Sequence, residues 1–190
     1  MSTRIDSHRS WPVTGQPPVS NAVLGTAIYV ATALMFFGGL MSATLVLRAG
    51  SAAWPPPGTP LLPTLVSGMN MVVLCASGTL VAWAWRTRAQ ESRVRALLAA
   101  VLLGTMFVAV QGVEWARLLA HGVQVSSGQH AATFYTLVGA HALHVAGGLA
   151  ALVITWRRMR RGRGDLGACT LYWGFVVLLW PVLYVLIYTS

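Results

Sequence analysis

Residues 131–163 read AATFYTLVGAHALHVAGGLAALVITWRRMRRGR. The first 26 of them, Ala131 to Trp156, carry no formal charge, and five of the next seven are arginine. Crossing about 30 Å of hydrocarbon takes roughly 20 predominantly apolar residues, and only a helix can satisfy its own backbone there. The stretch therefore reads as a transmembrane helix that stops at a charged membrane surface.

Working outward, four more segments meet the same criterion, at about 22–47, 61–85, 94–118 and 169–188, with the quoted one at 131–156. The expected fold is all-α, a polytopic transmembrane bundle of five helices over residues 22–190, preceded by a polar cytoplasmic tail over 1–21. Composition agrees, with 56% apolar and 9% charged residues and a mean hydropathy of +0.65, values far from a soluble average. No internal repeat is visible. The first twenty residues are polar and proline-bearing, so no cleavable signal peptide is expected and the first helix should direct insertion. Cys75 and Cys169 lie in or beside apolar runs without a CxxC pairing and read as small core residues.

The net charge of +9 comes from thirteen arginines against four acidic residues, with no lysine. On a soluble domain it would suggest nucleic acid. Here the arginines sit between apolar runs, which points to phospholipid and away from nucleic acid. The tail has Arg4 and Arg9, the 86–95 loop has four arginines and the 157–165 loop has five, eleven on one side. The other side holds Arg48 and Arg117. The positive-inside rule then gives a cytoplasmic N-terminus and an extracytoplasmic C-terminus, as an odd helix count requires. Arg86, Arg88, Arg157, Arg158 and Arg161 are expected to meet anionic lipid headgroups.

The outer loop RAGSAAWPPPGTPLLP (48–63) carries Trp54 and five prolines, which exclude a helix and favour an extended connector. Pro181 in the last span predicts a kink or a freed carbonyl, and the aromatics Tyr172, Trp173, Trp180, Tyr184 and Tyr188 around it read as packing and interface anchors. In the fourth span, Ala142, Ala146 and Ala150 form a small-residue ladder beside Gly139, Gly147 and Gly148, a face for close docking within the bundle or onto a larger neighbour.

Five polar side chains fall inside the spans: Asn70, Gln111, Glu114, His141 and His144. A charge in hydrocarbon is expensive, so Glu114 is expected to face inward and to be partnered. Gln111 and Glu114 share one helical face through their three-residue spacing, and His141 and His144 repeat it on the next helix. A metal site, a proton relay and a structural hydrogen-bond clasp are all compatible with these groups, the clasp foremost. Counting about 1.5 Å per residue from the outer helix ends puts Glu114 about 6 Å deep and His141 about 15 Å, so His141 is the expected nearer partner. No phosphate loop, nucleophile elbow or complete ligand set is present.

The segment TFYTLVGAHALHVAGG (133–148) resembles a family stretch in which Thr-Phe-Phe precedes a glycine and His-x-x-His-Val. Gln111-x-x-Glu114-Trp115, Met35-Phe36-Phe37, Trp54-Pro55-Pro56, Ala76-Ser77-Gly78 and Tyr172-Trp173-x-Phe175 with Trp180 match in order across nearly the whole chain. The chain resembles subunit III of haem-copper respiratory oxidases, of the cytochrome c and quinol types, in a short form lacking the first two helices. The resemblance implies a non-redox accessory subunit of a proton-pumping terminal oxidase in a bacterial plasma membrane. It implies contact with subunit I, association with subunit II and other subunits, and phospholipid held in a cleft. Haem and copper would belong to those partners, with no cofactor, metal or catalytic residue in this chain. Stability of the core, sustained turnover and the surroundings of oxygen and proton entry are the roles implied. A nitric oxide reductase subunit is the alternative within the family, and a free-standing metalloprotein or transporter built on Glu114, His141 and His144 the alternative outside it. The chain departs from the pattern at Ala33, Gly174 and Val177, where the family has glutamate, histidine and aspartate; roles of those groups do not carry over.

Overall fold

Each long apolar run becomes one helix because hydrocarbon offers the backbone no other hydrogen-bond partners. The structure, a computed structural model, describes residues 20–56, 64–122 and 125–188. The helices are α1 (Asn21–Ala49), α2 (Thr64–Arg86), α3 (Gln90–Ala120), α4 (Gln129–Arg160) and α5 (Gly167–Tyr188), with a 3-10 turn at Val125–Ser127. All five are long and apolar enough to cross a membrane, as the sequence predicts. The tail with Arg4 and Arg9, and Pro57, Pro60 and Pro63 of the outer loop, lie outside the described residues.

Helices α3 and α4 have 31 and 32 residues, about 46–48 Å at 1.5 Å per residue. They outrun the apolar spans because polar residues at a membrane surface extend a helix until something caps it. Ser20 starts α1 by accepting the Val23 N–H at 3.3 Å. At the end of α4 the chain reverses at Gly162, whose φ of 67° suits glycine, and the Arg163 N–H reaches back to the Arg158 carbonyl. Arg157, Arg158 and Arg160 occupy that last turn, where a cation meets the negative end of the helix dipole. Gln90 donates to the Met159 carbonyl at 2.5 Å and ties the start of α3 to the end of α4. Helix α5 runs unbroken through Pro181, so the sequence-level alternative of a freed carbonyl holds at Val177, which loses its intrahelical donor.

Helix α5 is central, packing on α1, α2 and α4, while α2 and α3 form the most extensive pair. Among the described elements, α1 packs only on α4 and α5. Trp173, Trp180, Phe37, Leu74, Leu97 and Leu152 are among the large fully buried side chains. Trp54 of the outer loop rests edge-on against His130 at the start of α4, with ring centroids 4.9 Å apart.

Candidate functional site

Trp173 organises the middle of the bundle. Its Nε1–H donates to Ser77 Oγ at 3.1 Å, and the Ser77 hydroxyl donates to the Ala100 carbonyl at 2.9 Å. One indole thereby links α5, α2 and α3. Its ring fits because Gly104 and Gly148 lack side chains; a Cβ at Gly148 would lie 2.7 Å from the ring and one at Gly104 3.0 Å. Asn70 makes a second α2–α3 tie by donating to the Phe107 carbonyl at 3.1 Å. Among the described residues, Gly78 makes a further close glycine contact, with Val177. Ala142, Ala146 and Ala150 are all exposed, so the alanine ladder faces outward and the expectation that it docks within the bundle is corrected. Gly148, which meets Trp173, lies two positions from Ala146 and from Ala150 and so on another face of α4.

The four residues expected to form a clasp fall into separate surroundings. Glu114 is buried and pairs with the exposed Arg117 one turn along α3, at 3.4 Å. Gln111, also buried, donates to the Tyr188 hydroxyl at 3.4 Å. His141 stacks on Trp180 with centroids 5.0 Å apart and meets Phe107 edge-on. His144 hydrogen-bonds the Ala140 carbonyl at 2.8 Å through Nδ1 and sits among Phe37, Tyr29 and Phe175. No direct hydrogen bond joins Gln111 or Glu114 to either histidine among the described residues, contrary to the expected contact. The reason is angular. Residues three apart on a helix diverge by about 60°, and α4 is placed so that this divergence turns His141 to the α3–α5 side and His144 to α1. Glu114 finds a cation on its own helix before it reaches α4.

Tyr188 and Trp180, expected as packing and interface anchors, are the partners of Gln111 and His141. A buried phenol needs a hydrogen-bond partner, and Tyr188 closes the same end of the bundle as Gln111; that was the available signal. Ser77 carried none, because a lone serine in an apolar run is also an ordinary filler.

At the other end Arg86, Arg88, Arg157, Arg158 and Arg161 are all exposed, forming one basic rim with Arg160, whose guanidinium lies 5.0 Å from the Trp156 ring centre. A groove of about 760 Å³ opens here between α1, α4 and α5, lined by Tyr29, Ile154, Arg158, Asp165 and Tyr172. Among the described residues no three His, Cys, Asp or Glu side chains converge as a metal-holding group.

Five membrane helices, His-x-x-His on α4 and Gln-x-x-Glu on α3 now stand in one bundle around a Tyr-Trp pair, and comparison with known proteins places that arrangement. The family pattern described as cytochrome c oxidase subunit III matches residues 19–190. The chain belongs to that family. It is 33% identical over 176 residues to the probable cytochrome c oxidase subunit 3 of Nocardia farcinica, covering 87% of this chain and 86% of the relative. Cytochrome c oxidase subunit 3 of Synechocystis is 30% identical, over 87% of this chain and 74% of the relative. The human subunit 3 is 31% identical, over 90% and 71%.

The three departures from the subunit III pattern have structural consequences. Ala33 is buried on α1. Val177 packs its methyls into the notch at Gly78, 2.9 Å from where a Cβ there would stand. Gly174 faces open space, with nothing within 4 Å of a Cβ. Val177 is held by apolar contact, and a larger side chain at Gly174 would fit without repacking.

Proposed function

We propose that the chain is a non-redox accessory subunit of a cytochrome c oxidase-type terminal oxidase, supporting the stability and sustained turnover of a catalytic subunit that it contacts directly. The observation that carries this reading is the subunit III match over residues 19–190 on a bundle whose motif residues serve packing. Trp173, Ser77 and the glycines hold the helices together, and the two histidines are engaged by aromatic rings. Haem and copper belong, on this reading, to the partner subunits. The alternative of a free-standing metalloprotein finds no support in the geometry, since Glu114, His141 and His144 lie in three different contacts.

The arginine-rich rim would face the cytoplasm of a bacterial plasma membrane and bind anionic phospholipid, each arginine near the surface contributing about 1 kcal/mol of attraction. The test is purification in mild detergent. Copurification with a haem-bearing subunit I, and oxidase activity that decays faster during turnover once this chain is removed, are the expected results. A haem-free chain that is active alone would overturn the proposal.

A further inference from the structure

A cavity of about 160 Å³ lies between α3, α4 and α5, walled by Phe107, Trp115, Val138, Val145 and Trp180. Its surface is almost entirely carbon. Gln111 and His141 also reach the wall, but Gln111 Oε1 and both ring nitrogens of His141 are covered, and a water inside would lack the two to four polar partners that hold buried water. Voids of about 150 Å³ with apolar walls stay dry and take benzene or xenon. The space therefore suits a hydrocarbon guest of about benzene's size.

Position and entrance identify the guest. Of the lining residues, Val108, Gly112 and Ala142 are exposed, so the cavity opens between α3 and α4 to the outside of the bundle, and Gly112 and Ala142 leave its mouth bare of large side chains. That mouth is deep in the membrane. At about 1.5 Å per residue, Gly112 lies about 9 Å in from Leu118 at the outer end of its span and Ala142 about 16 Å in from Ala131, against a hydrocarbon half-thickness of about 15 Å. We propose that the cavity takes the end of a lipid acyl chain, entering between Gly112 and Ala142 and lying against Phe107 and Trp180. An empty void forfeits the dispersion contacts of its walls, and a chain end restores them with no hydration to lose. The guest fills the seam between α3 and α4 across which Gln111 and His141 make no direct hydrogen bond. The site is separate from the groove at the arginine rim, which opens between α1, α4 and α5.

The test is photo-labelling of the full chain, with the subunits that copurify, in phosphatidylglycerol vesicles. One probe lipid carries a diazirine at the end of an acyl chain and a second carries it beside the glycerol. The carbene formed on illumination inserts into whatever it touches, and mass spectrometry locates the adduct. Val138 and Val145 line the cavity, whereas Leu74 and Leu152 are equally buried and do not. The chain-end probe is expected to label Val138 and Val145 several-fold above Leu74 and Leu152, and several-fold above the second probe. Gly112→Leu, at a position where a Cβ meets nothing within 4 Å, sets a larger side chain at the mouth and should lower that labelling while leaving exposed Leu178 unchanged. Equal labelling of the two buried pairs, or of Val138 and Val145 by the two probes, would overturn the proposal, as would undiminished labelling in Gly112→Leu. The first two comparisons use the unmodified protein and decide the matter even if Gly112→Leu fails to assemble.

Discussion

Replacing Gly148 with alanine should destabilise the bundle through a single indole. The new Cβ would stand 2.7 Å from Cε3 and 2.8 Å from Cζ3 of Trp173, whereas carbon atoms settle at about 3.5–4.0 Å, so about 0.8 Å of relief is needed. Trp173 has nowhere to go. Gly104 on α3 backs the far edge of the ring, where an added Cβ would stand only 3.0 Å away, and the bond to Ser77 fixes its nitrogen at 3.1 Å. Overpacking of this kind costs about 1–3 kcal/mol, against a gain of at most about 1 kcal/mol from helix propensity, so the clash prevails. Gly112→Ala is the matched control, since its Cβ meets nothing within 4 Å. The measurement is SDS-induced unfolding of the purified protein, followed by circular dichroism. Trp173→Phe trims the ring and should partly rescue Gly148→Ala, with a coupling of about 0.5–3 kcal/mol in the double-mutant cycle. Equal stability of Gly148→Ala and Gly112→Ala, or strict additivity with Trp173→Phe, would refute the reasoning.

Ser77→Ala leaves the Trp173 N–H buried without its acceptor and should cost about 1–3 kcal/mol in the same assay, while Ser51→Ala, whose hydroxyl donates only to the Leu47 carbonyl of its own turn, should cost less. Phe37→Ala removes the fully buried ring that meets His144 and Phe175; a loss of about 3–5 kcal/mol is expected, seen first as release of α1, which has no contact with α2 or α3 to fall back on. Glu114→Gln keeps a donor and an acceptor and should preserve assembly, whereas Glu114→Leu removes the buried partner of Arg117 and should lower the yield of intact complex on native gels. Cysteines placed at Arg88 or Arg161 should resist membrane-impermeant reagents added from outside; modification of either without permeabilisation would reverse the assigned orientation.

Sequence alone determined the number of helices and the grouping of arginines at one end. Both are solvent effects: hydrocarbon demands about 20 apolar residues per crossing, and charge collects where the crossing stops. It also singled out Gln111, Glu114, His141 and His144, because a polar group in an apolar run stands out against its neighbours. What each of them touches was decided by the tertiary structure. Their three-residue spacing carries an angle of about 60°, and only the placement of α4 between α1, α3 and α5 turns that angle into two histidines on different partners. In the same way Ala142, Ala146 and Ala150 look like a docking face in one dimension and lie on the outside in three, while Gly104 and Gly148, forty-four positions apart, become one slot for Trp173. Helix–helix contacts in a membrane are chosen by shape and hydrogen bonding, not by the contrast between apolar and polar residues, and shape exists only once the helices are placed.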